Sequence, residues 1–303
     1  MQMNRRQSLV SISSLALATA GSEMLADEAL EGQPSRRFPI GVFTKPFNSL
    51  TYDELADEIA KLGFDGIEAP VRRGGNVLPT RVAEDLPKLV EALSARDLKV
   101  LILTSDIADL KDPVNLKVLE TAADLGITQF RMSYVKYDKS KPIAPQIETW
   151  QRQFETLAAK CESLGIQALY QNHAGERYMG SPIWDIDRVL RDISPDHIGV
   201  AFDIRHAAVE AGTSWPIAWR MILPRVRAVY VKDFVWKESK IVNVPLGQGR
   251  VDKSFYKDLL ESDFSGPISL HEEYIDHRDP ALVPEHLAAI QRDLAELNKQ
   301  IKV

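Results

Sequence analysis

Residues 197–203 read HIGVAFD, and the alternation of large and small side chains in that stretch decides the fold. Successive side chains of a strand point to opposite faces. Ile198, Val200 and Phe202 therefore share one face, and Gly199, Ala201 and Asp203 share the other. Bulky apolar groups on one side with almost nothing on the other suit a sheet closed on itself, with helices outside and a narrow interior. Asp203 then points inward where the strand leaves the interior.

The same rule orients the neighbouring stretches. In PISLHEEY (267–274), Ile268 and Leu270 face out, which leaves Ser269, His271 and Glu273 inside. In VRAVYVKDF (226–234), Val229 and Val231 go out and Ala228, Tyr230 and Lys232 go in. IQALYQNHAG (166–175) starts apolar and ends in two amides and an imidazole, with Leu169, Gln171 and His173 inward. Further strands are expected in PIGVFTK (39–45), GFDGIEAP (63–70), LKVLILTS (98–105) and TQFRMSYV (128–135), whose ends turn Lys45, Glu68 and Arg131 inward.

Amphipathic stretches such as TYDELADEIAKLG (51–63) and APQIETWQRQFETLAAKCESLG (144–165) separate these strands, and several stop at the glycine expected after a helix. Eight strands, each followed by a helix, with no Pro/Gly/Ser linker, predict one (β/α)8 TIM barrel over residues 38–303. A doubly wound sheet with a nucleotide cofactor would place a glycine-rich turn after the first strand. VFTKPFNSL (42–50) has no glycine there, so no nucleotide cofactor is expected.

A formal charge of −6 over 303 residues gives no global reason to bind nucleic acid or an anionic membrane. Cys161 is the single cysteine, so an internal disulfide is excluded, and its helical setting marks it as a core thiol. Residues 1–30 carry Arg5 and Arg6, an apolar run from Leu9 to Ala20 and then acidic sequence. That layout predicts a twin-arginine-like export signal and a periplasmic or otherwise exported protein with no membrane attachment after signal removal. The run is too short to span a bilayer.

A ring of Lys45, Glu68, Arg131, Asp203, Lys232, His271 and Glu273 at strand exits is costly unless paired or used. In this fold the active site opens on that face, and a polar small molecule is the expected ligand. FDIRHAAVEAG (202–212), VYVKD (229–233), VPLGQGRVD (244–252) and ISLHEEY (268–274), following LGFDGIEAP (62–70), resemble the xylose isomerase-like TIM barrels, the sugar phosphate isomerase/epimerase family. The resemblance spans residues 38–295.

The resemblance implies a divalent ion on a glutamate, an aspartate, a histidine and a second glutamate, with the glutamates moving a proton beside a carbonyl. Only Asp203 keeps its family identity. The other positions fall on Gln171, Tyr230 and His271, while His206 of D-x-x-H is retained as a substrate contact. Two alternatives follow for the positive charge: a divalent metal (Mn, Co, Zn or Mg) on Gln171, Asp203 and His271, or a direct role for Lys232 or Arg131. Glu273, His271 and Lys232 are the expected catalytic residues. Lys45, Glu68, Arg131, His173, His206, Tyr230 and Trp236 are the expected substrate contacts, Trp236 by stacking on a sugar face.

Two functional readings remain open on sequence. One is a carbohydrate-active isomerase or epimerase, or a lyase or hydratase on a keto-sugar, working through an enediol-type intermediate. The other is a catalytically inactive, secreted sugar-binding barrel. A homo-oligomer is compatible with either. A DNA-repair endonuclease on the same fold would need many histidines, and this chain has 6.

Overall fold

The structure, a computed structural model, describes residues 37–302; the expected export signal, residues 1–30, lies outside the described residues. Eight parallel strands close into a barrel: β1 (Ile40–Phe43), β2 (Gly66–Val71), β3 (Lys99–Ser105), β4 (Gln129–Arg131), β5 (Gln167–Gln171), β6 (Ile198–Asp203), β7 (Val226–Val231) and, after an inserted hairpin, β10 (Ile268–Leu270). β10 returns to β1 in parallel register, Ile268 opposite Ile40, so no sheet edge is left open.

Each strand is followed by helix on the outer ring. The helices are α1 (Tyr52–Leu62), α2 (Val82–Ser94), α3 (Pro113–Asp124), α4 (Ile143–Leu164), α5 (Trp184–Leu190), α6 (Ile204–Ala211), α7 (Trp215–Ile222), α8 (Ser254–Glu261) and α9 (Val283–Gln300). Local sequence explains their limits. Thr51 and Glu54 form a reciprocal capping box at the start of α1, and Gly63 closes it in the left-handed region at φ 79°.

Alternation holds as expected. Outward residues such as Ile198, Val200 and Phe202 join the large core between sheet and helices. Ile102, Leu169, Ala201, Ala228 and Tyr230 form a separate small cluster inside the barrel. Trp215 and Trp219 pack on Phe255, with Trp219 also against Phe202, so both belong to the outer core. Cys161 is buried, and burial pushes its thiol up to about 12, as expected of an inert core thiol.

The structure adds a feature that strand counting did not reveal. After β7 the chain forms an antiparallel hairpin, β8 (Asp233–Lys237) and β9 (Lys240–Val244), outside the barrel sheet. Asp233 anchors the loop that follows it. Its carboxylate accepts the backbone N–H groups of Phe234 (2.8 Å), Gly247 (3.1 Å), Gly249 (2.9 Å) and Val251 (3.0 Å). A Cβ on Gly249 would lie 2.1 Å from Asp233 Oδ1, so only glycine lets the loop close on that carboxylate.

Candidate active site

The strand exits at the C-terminal end of the barrel bring the expected residues into one mouth, in two hydrogen-bonded clusters. β6 ends at Asp203, which is also the cap of α6 because helix follows strand with no loop. Its Oδ1 accepts the His206 N–H at 3.0 Å, and this cap contact is what places the histidine of D-x-x-H beside the aspartate. Asn172, just past β5, extends the sheet by one side chain. Its Nδ2 donates to the Asp203 carbonyl at 2.9 Å and its Oδ1 accepts the Asp203 N–H at 2.7 Å.

Three groups then converge on the second oxygen of Asp203. Gln171 Nε2 donates to Oδ2 at 2.8 Å, Lys232 Nζ lies 3.2 Å from it, and His206 Nε2 is 3.5 Å away. Lys232 also donates to Glu273 Oε2 at 2.9 Å. Burial alone would lower the Lys232 pKa, but the charges of Asp203 and Glu273 outweigh it and hold the ammonium well above its ordinary range. The same pair acts on Glu273, whose side chain is 26% exposed: burial pushes its carboxyl up, and Lys232 with His271 more than reverses that. Glu273 is therefore a firmly ionised carboxylate.

A second cluster lies on the β2 side. Glu68 accepts from Thr104 Oγ1, from Ser269 Oγ at 2.6 Å and from His271 Nε2 at 2.8 Å. Burial raises the Glu68 pKa, and the charge of His271 with these hydrogen bonds brings it below the ordinary value. An ionised Glu68 requires a proton on His271 Nε2. Nδ1 of that ring is buried and has no hydrogen-bond partner among the described residues. The ring is held between Phe43 (centroids 4.8 Å apart) and Tyr230 (4.6 Å).

The imidazoles of His173 and His206 lie 4.1 Å apart between centroids. Burial first, and the charge of Lys232 second, lower His173 to about 4 and His206 well below its ordinary value, so both are neutral at pH 7. Their tautomers follow from their partners. His173 Nδ1 faces the Ala174 carbonyl at 2.8 Å, so it carries the proton. His206 Nδ1 faces Arg205 Nη1 at 3.0 Å, and a guanidinium only donates, so the His206 proton sits on Nε2. That N–H has no hydrogen-bond partner among the described residues. Arg205 is itself fixed by Asn243 Oδ1 at 2.6 Å, on the hairpin strand β9.

One expected contact falls elsewhere. Trp236 lies on the hairpin, 43% exposed, opposite Ile241 and edge-on to Phe234, so it does not join the mouth. Tyr230 lies at the floor of the mouth, fully buried, its ring 4.6 Å from that of His271, and burial followed by the charge of Glu68 raises its pKa. Lys45 does reach the mouth, half-buried in the 3-10 turn after β1. Burial lowers its pKa while Glu273 pulls it back up. Glu176 is on the surface, paired with Lys139 at 2.8 Å.

Sequence reasoning missed Tyr134, Arg72 and Arg205. Tyr134 donates to Gln171 Oε1 and packs edge-on to His173 at 4.7 Å. Strand parity fails for it because β4 ends at Arg131. Arg72 was findable, since it continues the inward series Glu68, Pro70 past the end of β2.

The donor set does not fit a divalent ion. Gln171 is spent between Tyr134 and Asp203, and His271 Nε2 is spent on Glu68. An ammonium already sits 3.2 Å from the Asp203 oxygen where an ion would have to bind, and two adjacent cations in a buried site repel strongly. Among the described residues no group of three His, Cys, Asp or Glu side chains is arranged to hold a metal. The expected set of Gln171, Asp203 and His271 is thus split between two clusters.

No curated protein is detectably similar to this chain in sequence. Solved structures are similar in fold. The 3-keto-D-glucoside 4-epimerase from E. coli is 16% identical with a TM-score of 0.65, matching 86% of this chain and 99% of that one. The D-allulose 3-epimerase from Methylomonas sp. in complex with D-allulose is 16% identical with a TM-score of 0.65, over 88% and 98%. The probable 3-DHS dehydratase involved in petrobactin synthesis from Bacillus anthracis is 11% identical with a TM-score of 0.66, over 86% and 99%. Identities this low establish the shared fold. The family model for the xylose isomerase-like TIM barrel matches residues 56–295, and with the closed barrel and its polar mouth this places the chain in that family.

Proposed function

We propose that this protein is an exported sugar isomerase or epimerase that moves a proton at the carbon next to a carbonyl, with Lys232 as the positive charge of its site. The observation that carries this reading is the pairing of a buried ammonium with a histidine–carboxylate dyad in one barrel mouth. A keto-sugar bound there would take a hydrogen bond from Lys232 Nζ on its carbonyl oxygen. In the neutral form of His271, with its Nε2–H given to Glu68, the Nδ1 lone pair removes the proton from the adjacent carbon. The C–H electron pair forms the C=C of an enediolate, and the charge arriving on oxygen is held by Lys232 and by the N–H of His206. Return of the proton from His271 to the neighbouring carbon on the same face gives the isomer; protonation of the original carbon by solvent on the opposite face, with His271 losing its proton to solvent, gives the epimer.

Export rests on Arg5, Arg6 and the apolar run after them. Three solved structures of similar fold are named as a 3-keto-glucoside 4-epimerase, an allulose 3-epimerase and a dehydratase, which supports chemistry beside a carbonyl.

A binding-only barrel has one observation in its favour: Lys232 is already neutralised by Asp203 and Glu273. Proton exchange separates the two. Purified protein is incubated in D2O with ketoses, aldoses and 3-keto-glycosides, and deuterium at the carbon next to the carbonyl is followed by NMR. Exchange that disappears in His271→Gln supports the enzyme. Tight sugar binding with no exchange in a folded wild-type protein would leave the binding barrel.

A further inference from the structure

Two polar residues stand on the buried face of α9. That face is apolar at Ala289, Ile290, Leu294 and Leu297, yet it also carries His286 (0% exposed) and Asp293 (3%), about two turns apart. Buried polar groups are costly unless they are paired. Both of these make contacts to one short segment, residues 272–276, which leaves the barrel after β10.

That segment adjoins two groups of the mouth. β10 ends at Leu270, and its last hydrogen bond to the barrel is His271 N–H to the Val231 carbonyl at 3.0 Å. Alternation past that point turns His271 and Glu273 inward and Glu272 outward, toward α9. Glu272, 3% exposed, accepts the N–H groups of Tyr274 (3.0 Å) and Ile275 (2.9 Å) on Oε1, and its Oε2 meets His286 Nδ1. His286 Nε2 lies 3.4 Å from the Asp276 carbonyl, and the Tyr274 hydroxyl donates to Asp293 Oδ2 at 3.1 Å. One carboxyl thus closes the backbone beyond Glu273 into a turn, and one helix holds that turn at three points. From the other side, Asn243 Nδ2 donates to the Glu273 carbonyl at 3.2 Å.

Stability alone gives little reason for the Glu272–His286 pair, because a buried polar pair can be replaced by apolar residues of like shape at little cost. Position gives a better one. His271 Nε2 meets Glu68 at 2.8 Å and Lys232 meets the Glu273 carboxylate at 2.9 Å, and both contacts depend on where the backbone runs once its ladder has ended. We infer that Glu272 and His286 are positioning residues, which act through the backbone of residues 271–275 to hold His271 and Glu273 in the mouth. The effect on turnover rests on the sugar reading above; the effect on the His271 ring is independent of it.

The purified full chain is compared with His286→Phe, which keeps a ring and removes both nitrogens, and with His286→Asn, whose amide restores one donor toward Glu272. Proton NMR follows exchange of the His271 Nε2–H, with backbone N–H exchange in β5 as the control for global opening. Exchange at least ten-fold faster than in wild type is expected in His286→Phe, partly slowed again in His286→Asn, with β5 unchanged. On a sugar that the wild type turns over, kcat should fall about ten-fold or more in His286→Phe with KM within about three-fold, and recover in part in His286→Asn. Where His286→Phe fails to fold, Glu272→Gln, which keeps an acceptor for the backbone N–H groups, should show the same changes at smaller size. His271 exchange at the wild-type rate in the folded variant overturns the inference, whatever becomes of kcat. Faster His271 exchange in the variant of a protein that turns over no sugar supports the positioning role and overturns the sugar reading alone.

Discussion

Lys232 Nζ lies 3.2 Å from Asp203 Oδ2, and their side chains are 5% and 0% exposed. A buried ion pair is weak evidence of stability in itself, but removing one partner strands the other in a medium that solvates it poorly. In Lys232→Met both Asp203 and Glu273 lose their counter-charge. The variant should be less stable by about 3–5 kcal/mol in urea titrations. It should also lose at least roughly 100-fold in turnover, the range seen when one oxyanion donor is removed. Undiminished turnover in the variant would show that Lys232 is structural only.

The ammonium at Asp203 also sets an expectation for metals. Any ion bound to the native state raises stability by mass action, about 2.7 kcal/mol at a hundred times its dissociation constant. Dialysis against EDTA, or addition of millimolar Mn, Co, Zn or Mg, should leave the melting temperature and any sugar turnover unchanged. A chelator-sensitive melt, restored by one of these ions, would mean that Lys232 swings aside to admit it.

The fold was readable because a closed sheet writes itself into every strand: small inward residues at Gly199, Ala201 and Ala228 and bulky outward ones at Ile198, Val200 and Val229 can satisfy little else. Strand parity also placed Glu68, Asp203, Lys232, His271 and Glu273 at the mouth, as the structure has them. It held one to three residues past the ends of β7 and β10, at Lys232, His271 and Glu273, and failed past the ends of β4 and β5. Tyr134 and Asn172 lie past the last paired residues of β4 and β5, where side-chain direction no longer alternates. The hairpin escaped because the strand expected over residues 226–234 runs straight into its first residues, and Trp236 was carried with it to solvent. The pairing of His271 with Glu68, 203 positions apart, depends on barrel closure between β10 and β1, which no local pattern reports.

Arg205 acts on His206 through a single hydrogen bond, and this has a spectroscopic consequence. In 15N-labelled protein at pH 7, His206 should show a protonated Nε2 and an unprotonated Nδ1. Arg205→Met should release the ring to mix both tautomers. If the His206 N–H holds the substrate oxygen, kcat in that variant should fall about ten-fold or more, and Arg205→Lys, which keeps one donor, should recover part of it. A His206 that is Nδ1–H in the wild type would remove Arg205 from any positioning role.

Asp233 with Gly249 fixes the loop behind the hairpin, so it offers a stability test away from the reacting groups. Gly249→Ala must displace a carboxylate that accepts four backbone N–H groups. Hydrogen bonds to a charged group are worth about 1.5–3 kcal/mol each, although not additively. A loss of at least about 2 kcal/mol in urea is expected for Gly249→Ala, and a comparable loss for Asp233→Ala. The double variant should cost little more than either single one, because both remove the same contact. Simple additivity of the two losses would mean that the loop is held by something else.

The burial of His173 makes stability depend on pH with a definite sign. Its pKa is lowered from 6.5 to about 4, by burial first and by the charge of Lys232 second. Below pH 6.5 the unfolded chain takes up a proton at this residue that the folded chain refuses until about pH 4. The unfolded state therefore binds more protons in that window, and stability falls as pH falls through it. The full effect, reached near the lower limit, is on the order of 3 kcal/mol relative to neutral pH. His173→Gln cannot titrate, so the difference in unfolding free energy between wild type and variant should shift against the wild type from pH 7 to pH 4 and then level off. Asp293 also titrates abnormally, but it is present in both proteins and cancels in the difference; His206, whose ring lies 4.1 Å from that of His173 and which the His173 charge helps to lower, is followed separately by NMR in both proteins. Parallel stability curves for the two proteins across this range would show that the His173 imidazole is open to protonation, and with it that the mouth is wetter than its packing against Tyr134, Tyr178 and His206 implies.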